Sequence, residues 1–488
     1  MRLYQKLTLS LLALVLLLGG APLLAERAAS SDQIGAQENP KIIAQFGGTV
    51  SDSALAEYVS KIGQSLVLHT EESHESWTFT ILDSPVVNAF ALPGGYVYVT
   101  RGLLALANNE AELAAVLGHE IGHVISGHGE ERIKKGNRAG IGVILGTILG
   151  GVFGGQDGAA DAIELGAKLA TGYLAQHSQA QEMEADLMGI HLLTQAGYDP
   201  LAQANFLEQL AANEALELLV VGEHYYPNRV DFFASHPATG KRIAKAKSLA
   251  SKTKEPSGEN ALNEEVYLSS IDGLVYGDAA REGFIRGQSF SHPILKFTFT
   301  VPTGFILTNY SDRVEASNKA GAKFILSGDQ NWGGPMDRFI VDRWLPSIAL
   351  EFGTSNMREV RLTNINGLDA AIGFVDIATP DGLRIAQLTA IRFNDSIIRL
   401  AALTKKSDGK SRNKLNTASQ SFRKLSADEA ASLKPFYLRM HKVQAGDTIQ
   451  KLSSTMPLTG FREGQFKAMN GYSDGSVMQV GDLVKIIE

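Results

Sequence analysis

The sequence predicts a multidomain protein in which a mainly α domain with a small edge-strand sheet precedes an α+β antiparallel-sheet domain and a small βααβ unit. Three observations predict this order. Residues 40–248 carry apolar side chains mostly at helical spacing, residues 289–425 form short alternating segments, and residues 436–488 hold two Gly-Asp pairs beside extended apolar stretches. A chain of 488 residues is long enough for about two to four domains.

The domain boundaries follow from changes in composition along the chain. We place a secretory signal at 1–25, the mainly α domain at 26–250, a linker at 251–288, the α+β domain at 289–425 and the βααβ unit at 436–488. The linker begins in a stretch rich in Lys, Ser, Glu and Pro.

Composition excludes several classes of site and partner. The chain has no cysteine, which excludes disulfides, thiolate metal sites, a cysteine nucleophile and a lipoprotein anchor of the bacterial type. Its net charge of -7, without any basic run, argues against nucleic acid as a general partner.

The first 25 residues have the three parts of a secretory signal. Arg2 and Lys6 supply the positive end, residues 7–18 form the apolar core, and Ala25 offers a cleavage site. An uncleaved anchor helix is the alternative, and in both cases the rest of the chain is exported. A signal of this kind in a chain without cysteine predicts a bacterial periplasmic location.

A second apolar segment, residues 139–155, is uncharged and rich in glycine. Its length is marginal for a membrane span. We favour a packed or membrane-touching hairpin, with peripheral membrane contact, over a true span.

The mainly α domain contains one strand signal and one strongly patterned helix. Residues 97–100 are β-rich and follow a Pro93-Gly94-Gly95 turn. Asn109 then offers a helix cap, and Glu112 stands three residues further on, in the position of a capping box. Apolar residues follow at helical spacing from Leu113 onward, so a buried amphipathic helix is predicted.

On that helix lies the pattern His-Glu-x-x-His, at residues 119–123. Positions four apart share one helix face, so His119 and His123 can reach one metal ion. Glu120 then lies beside the metal-bound water, where a general base is needed. His128, five residues after His123, lies off this face and is not expected to be a ligand.

A catalytic zinc site needs a third protein ligand, and without cysteine this must be His, Asp or Glu. Glu182 and Asp186 are four apart on a second predicted helix and share a face, whereas Glu184 points elsewhere. Glu182 would bind one Zn²⁺ per chain, and Asp186 would accept the Nδ1–H of a ligand histidine. The alternative is that these acids form an ordinary solvated helix face. No pattern supports a ligand role for seven further histidines: His69, His74, His177, His191, His224, His292 and His441.

These motifs resemble the HExxH zinc metallopeptidase family that includes the CAAX prenyl proteases, HtpX and BepA. The resemblance covers residues 40–248 and includes residues 88–104, which look like the family's edge strand, and Ser235-His236-Pro237, which resembles its downstream HP motif. It implies a gluzincin-type fold. It departs from the family at Gln179, where many members have Arg, and no tetratricopeptide repeat is present.

The resemblance also implies roles for further residues. His236 would be a displaceable fourth zinc ligand, with a structural histidine as the alternative, and Arg242 would face the oxyanion. The strand at Val97, Tyr98 and Val99 would pair with an extended substrate backbone.

The last two units differ in how much they reveal. In residues 289–425 no residues cluster as a catalytic site, and residues 416–425 predict a closing helix. The stretches 443–449 and 480–486, with Met469-Asn470-Gly471 between them, resemble a LysM domain, a module that binds N-acetylglucosamine-containing glycans such as peptidoglycan. A structural remnant without glycan affinity is the alternative.

The function predicted first is therefore an exported zinc endopeptidase that cleaves misfolded or envelope proteins near peptidoglycan. The alternatives are an envelope chaperone or scaffold with a gated or silent protease site, and a cell-wall binding protein whose main ligand is glycan.

Overall fold

The computed structural model describes residues 31–73, 75–129, 131, 177–221, 236, 240–253, 261–310, 313–352, 355–379 and 382–488. The predicted signal at 1–25 and the glycine-rich segment at 139–155 lie outside these residues and stay predictions. Among the helices that are described, none combines the length and the apolarity that crossing a bilayer requires.

The first part of the described chain is mainly helical, as predicted, and contains one small sheet. The helices are α1 (Ser31–Gln45), α2 (Ser53–Val67), α3 (Arg101–Leu106), α4 (Glu110–Ile125), α5 (Gln179–Gln195), α6 (Ala202–Val221) and α7 (Gly240–Ala250). The strands are β1 (Thr78–Leu82), β2 (Ala89–Leu92) and β3 (Tyr96–Thr100). β3 lies in the middle of the sheet, parallel to β1 and antiparallel to β2.

Helix α4 runs through the centre of this domain. Asn109 caps it by accepting a hydrogen bond from the Glu112 backbone N–H at 2.9 Å, as the sequence predicts. All residues from Glu110 to His123 are buried. This helix is buried on every side, so its interior positions are set by packing.

Glycines allow α4 and α5 to approach closely. A Cβ on Gly118 would lie 3.3 Å from the Cα of Gly189, and a Cβ on Gly122 would lie 3.2 Å from the Cα of Ala185. Side chains larger than hydrogen would push the two backbones apart, since close-packed interiors yield little. The glycine inside the His-Glu-x-x-His pattern therefore brings the two ligand-bearing helices together.

The predicted linker at 251–288 is partly folded into this domain. Helix α8 (Glu264–Ser270), β4 (Val275–Tyr276) and β5 (Phe284–Arg286) lie within it. Tyr267, Leu268 and Ile271 are buried in the same apolar core as α4. The polar composition before residue 264 predicts a linker that extends too far, because apolar residues at helical spacing follow from Val266 onward.

The α+β domain is built on a seven-stranded antiparallel sheet in the order β11-β12-β13-β14-β10-β9-β8. Its strands are β8 (Ile306–Asn309), β9 (Arg313–Ser317), β10 (Lys323–Gln330), β11 (Ser355–Ile365), β12 (Leu368–Thr379), β13 (Gly382–Phe393) and β14 (Ser396–Lys405). One apolar cluster joins this sheet to helices α9 (Met336–Arg338) and α10 (Leu345–Phe352) and the π-helical turn Phe339–Trp344 between them.

A second apolar cluster joins the seven-stranded sheet to a four-stranded sheet in the order β15-β7-β6-β5. The added elements are β6 (Ser289–His292), β7 (Phe297–Thr300), α11 (Gly409–Gln420), β15 (Arg423–Lys424) and α12 (Ala427–Ser432). The closing helix predicted at 416–425 is thus shifted: Asp408 caps it, and it ends before the short strand β15.

The C-terminal unit, residues 436–488, has the element order strand, helix, helix, strand. These are β16 (Phe436–Lys442), α13 (Ile449–Thr455), α14 (Arg462–Asn470) and β17 (Leu483–Ile487), and β16 pairs with both β17 and β4. Leu438, Phe466 and Val484 belong to the same apolar core as α4. The unit is therefore packed into the first domain and shares its core.

Candidate active site

Four buried side chains converge between α4 and α5. The Nε2 atoms of His119 and His123 are 3.1 Å apart. Nδ1 of His236 lies 3.3 Å from Nε2 of His119. Oε1 of Glu182 lies 2.9 Å from His236 Nδ1 and 3.5 Å from His123 Nε2. The structure thus brings together all four residues that the sequence predicts as metal ligands.

The spacing and chemistry of these atoms fit zinc. A tetrahedron with metal–ligand bonds of about 2.0–2.1 Å has edges of about 3.3–3.4 Å. The separations of 2.9–3.5 Å among the four side chains lie around that value. Imidazole nitrogens with one carboxylate form a donor set typical of catalytic zinc. His119, His123 and Glu182 would hold the ion, and His236 would supply a fourth ligand.

The protonation states of two ligands favour metal binding, and that of a third requires the loss of a proton. Burial alone would lower the pKa of His119, but hydrogen bonds with Asp186 and Glu182 raise it to about 9, so a metal ion must displace a proton from this imidazole. Burial lowers the pKa of His123 to about 2, so its imidazole is neutral and has a lone pair for a metal. Burial alone would raise the pKa of Glu182, but the neighbouring His236 and hydrogen bonds from His119 and His123 lower it below the usual range. Glu182 is therefore an anion, as a zinc ligand must be.

Asp186 and Arg242 orient the ligands. Oδ1 of Asp186 lies 3.0 Å from Nδ1 of His119, in the position that the sequence predicts. Two nitrogens of Arg242 donate to Asp186 at 2.7 Å each, and a third lies 2.7 Å from Oε2 of Glu182. The oxyanion role of Arg242 stays a prediction. The contacts in the structure make it a positioning residue that clamps Glu182 and Asp186 together.

Glu120 is buried at 1% exposure beside the ligand group. Its Oε1 lies 3.7 Å from Nε2 of His236 and accepts no hydrogen bond from the residues that the structure describes. A buried carboxylate oxygen without a protein donor is suited to take a proton from a water or substrate.

His128 contacts the site through a turn that the helical spacing did not predict. Helix α4 ends at Ile125, and Gly127 then adopts φ 65°, a left-handed conformation that reverses the chain. Nδ1 of His128 lies 2.9 Å from Nδ1 of His123, and its Nε2 lies 3.3 Å from Oε2 of Glu184. The Ser126-Gly127 pair was the available signal for this turn.

His177 was also not predicted to belong to the site. Its ring stacks on His123 at a centroid distance of 3.9 Å, and on His236 at 5.0 Å. The residue immediately precedes Ser178, the N-cap of α5, so the start of that helix carries both His177 and the ligand Glu182. Sequence offered no periodic signal for it.

The predicted substrate strand requires a correction. Val97, Tyr98 and Val99 lie on β3, which is paired on both sides and almost fully buried. Its backbone groups are used within the sheet, so it is not the edge that receives a substrate. The resemblance of residues 88–104 to the family's edge strand covers both β2 and β3, and the only clear strand signal within it lies at residues 97–100, so the prediction selects the inner of the two strands. The edge that packs against α4 is β2.

Comparison with known proteins identifies the domain that contains this site. Residues 53–250 match the model of peptidase family M48. The beta-barrel assembly-enhancing protease of Yersinia pestis is 31% identical over 207 residues, which are 42% of this chain and 41% of that protein. The mitochondrial metalloendopeptidase OMA1 of Schizosaccharomyces pombe is 31% identical over 193 residues, 38% of this chain and 51% of that protein.

The beta-barrel assembly-enhancing protease of Escherichia coli is 27% identical over 239 residues, 46% of this chain and 44% of that protein. The chain thus spans about half or less of the length of the curated relatives it matches. The match confirms the predicted zinc metallopeptidase family for residues 53–250. The buried group of His119, His123, Glu182 and His236 fits the zinc ion that the sequence predicts as cofactor.

Proposed function

We propose that this chain, whose residues 53–250 form a peptidase family M48 domain, is an exported zinc endopeptidase that cleaves misfolded or envelope proteins in the periplasm. One observation carries the proposal: Glu120 is buried beside the convergent ligands His119, His123 and Glu182. The relatives named beta-barrel assembly-enhancing protease support this choice of substrate, since their name refers to the assembly of beta-barrels.

The chemistry follows from the residues around the site. Zinc, when bound, acts as a Lewis acid that polarises a peptide carbonyl and acidifies a water molecule. Glu120 takes the proton of the attacking water and delivers it to the leaving amine. Arg242 and Asp186 hold Glu182 and His119 in place, so that little reorganisation is needed during the reaction.

Substrate selection would act on backbone conformation. Strand β2 is the edge of its sheet within the described residues and packs against α4, so an extended peptide could add to it by main-chain hydrogen bonds. A substrate held this way must present an unfolded segment. We therefore expect cleavage of an intrinsically unfolded protein such as casein, and no cleavage of a compact folded protein until it is denatured. Equal cleavage of the folded and denatured forms would contradict this selection.

The alternative of a gated or silent site is supported by His236. Its Nδ1 lies within 3.3 Å of both His119 and Glu182, where it would occupy a fourth coordination position. The variant His236→Ala should then cleave casein about tenfold faster than the wild type if His236 holds the site shut. His191→Ala, an exposed histidine on α5, is the matched control. An unchanged rate in His236→Ala would argue against gating by this residue.

We also propose that residues 436–488 form a LysM-like module that binds peptidoglycan. The observations that support it are the strand-helix-helix-strand order and a loop before β17 with Val477 and Val480 exposed at 76% and 70%. Two exposed apolar side chains three residues apart in one loop offer apolar surface for contact with a ligand. Binding to purified peptidoglycan should fall in the double variant Val477→Asp/Val480→Asp. It should persist in Val266→Asp, an exposed valine on α8. Equal binding by both variants would contradict glycan recognition by this loop.

A further inference from the structure

A second group of histidines lies beside the ligand His123. The ring centroids of His123 and His128 are 5.0 Å apart, and the ring of His177 lies 3.9 Å from that of His123 and 6.1 Å from that of His128. One ring nitrogen of each of the three residues lies within 4.8 Å of the other two. His123 and His128 are buried, and His177 is partly buried. The proposed peptidase chemistry uses only His123 of the three.

The two ring nitrogens of His123 face different groups. Its Nε2 lies 3.1 Å from Nε2 of His119 and therefore faces the catalytic ligands. Its Nδ1 lies 2.9 Å from Nδ1 of His128. Only one of these two Nδ1 atoms can carry a proton, because two N–H groups at this distance would repel each other. Loss of that shared proton leaves two nitrogen lone pairs whose separation is close to the edge of a zinc tetrahedron, about 3.3–3.4 Å.

A carboxylate supports the histidine pair from the other side of the His128 ring. Oε2 of Glu184 lies 3.3 Å from Nε2 of His128. A histidine that binds a metal commonly donates its other N–H to such an acceptor, which fixes the ring and raises the basicity of the ligand nitrogen. Glu184 is 61% exposed, and it adds a negative charge beside the imidazoles. It therefore stands to His128 as Asp186 stands to His119.

The donor set selects the kind of ion. Imidazole nitrogens suit zinc, copper and nickel, whereas Ca²⁺ and Mg²⁺ require oxygen ligands. Three protein ligands leave a fourth position that water can fill. His128 follows the end of α4, and His177 precedes the N-cap of α5. An ion held by both would connect the turn after α4 with the start of α5.

We propose that His123, His128 and His177 form a second metal site, which binds Zn²⁺ when zinc is in excess. This rests on the zinc site of the proposed peptidase, because the His123 imidazole would bridge the two ions, with Nε2 toward the first and Nδ1 toward the second. The second ion displaces the proton shared by the two Nδ1 atoms, and that proton passes to solvent. The second site fills after the first, because two cations on one ring repel each other. It would couple the peptidase to the zinc supply, since both ions draw on the electrons of His123.

The test is equilibrium dialysis of the full chain against rising Zn²⁺, with bound zinc counted by mass spectrometry. We expect the wild type to reach about two zinc ions per chain, the second at least about tenfold weaker than the first. His177→Phe keeps a flat ring that can stack on His123 but has no nitrogen for a metal, so it should hold about one zinc per chain. His191→Phe removes an exposed histidine from the same helix α5 and should hold about two, like the wild type.

Glu184→Met is a second variant that does not alter any ligand. The position is exposed and methionine favours a helix, so the variant is expected to fold. It should raise the zinc concentration that half-fills the second site about tenfold and leave the first site unchanged, because His128 loses its acceptor.

The proposal is overturned if the wild type saturates at about one zinc ion, or if His177→Phe still holds about two. It is also overturned if His177→Phe loses the first zinc while Glu184→Met binds both ions like the wild type. A wild type that holds no zinc at all would instead contradict the proposed peptidase.

Discussion

Lys485 offers a stringent test of how the C-terminal unit is attached. Its side chain is completely buried, and Nζ donates to the carbonyls of Ala105, Leu106 and Ala107 at 3.0, 2.8 and 2.8 Å. These carbonyls close helix α3, where the helix dipole favours a positive charge. The perturbation is Lys485→Met, which keeps an unbranched apolar side chain but removes all three donors.

The magnitude follows from the hydrogen bonds that are lost. A net contribution of about 1 kcal/mol for each of three bonds gives about 3 kcal/mol. Part of this loss in stability is offset, because methionine removes the cost of burying an ammonium group. That cost is visible in the pKa of Lys485, which burial lowers to about 7. We therefore expect Lys485→Met to destabilise the first domain by about 2–3 kcal/mol.

The assay uses tryptophan fluorescence during urea unfolding. The chain has three tryptophans, of which Trp332 and Trp344 lie in the α+β domain and Trp77 in the first domain. In a Trp332→Phe/Trp344→Phe background, the signal reports the first domain alone. The control is Lys451→Met in the same C-terminal unit, since Lys451 is 62% exposed and solvent screens its attraction to Asp447. A Trp77 transition that shifts no more in Lys485→Met than in Lys451→Met would refute the shared core.

Further predictions concern the same site and the same contact. Deletion of residues 436–488 should abolish casein cleavage, because it exposes the apolar core around α4 to solvent. Full cleavage by the truncated chain would contradict this and would indicate that the C-terminal unit serves only as a tether. Arg242→Met should weaken zinc binding about 10- to 100-fold in chelator competition, because Glu182 loses its clamp; unchanged affinity would contradict the positioning role. His128→Gln should weaken zinc binding, because His128 contacts the ligand His123 at 2.9 Å between their Nδ1 atoms. The control is His191→Gln at an exposed position, and equal zinc affinities of the two variants would show that the contact does not support His123.

The sequence predicted the ligand set well because helical spacing is a local property. His119, His123, Glu182 and Asp186 each follow from i, i+4 positions on two helices, and the N-cap of α4 at Asn109 lies where the sequence predicts it. His236 came from the family resemblance, since no local rule links it to the other ligands.

What the sequence did not predict depends on contacts between distant segments. The position of β3 inside its sheet requires β1 and β2 on either side, and a single strand signal does not reveal its neighbours. The burial of Lys485 depends on three carbonyls that lie 378, 379 and 380 residues earlier in the chain. The prediction that His128 lies off the ligand face assumes that α4 continues to residue 128. The helix ends at Ile125, and Gly127 then adopts a left-handed conformation that turns the chain.

The central claim is that Glu120 acts as the base beside a zinc ion held by His119, His123 and Glu182. The most direct measurement is zinc content together with casein cleavage for the wild type and for Glu120→Gln. We expect both proteins to hold about one zinc per chain, and the variant to cleave at least about 100-fold more slowly, because it keeps the ligands and loses the proton acceptor. Cleavage by Glu120→Gln at the wild-type rate, or by the wild type after its metal is removed, would contradict the account.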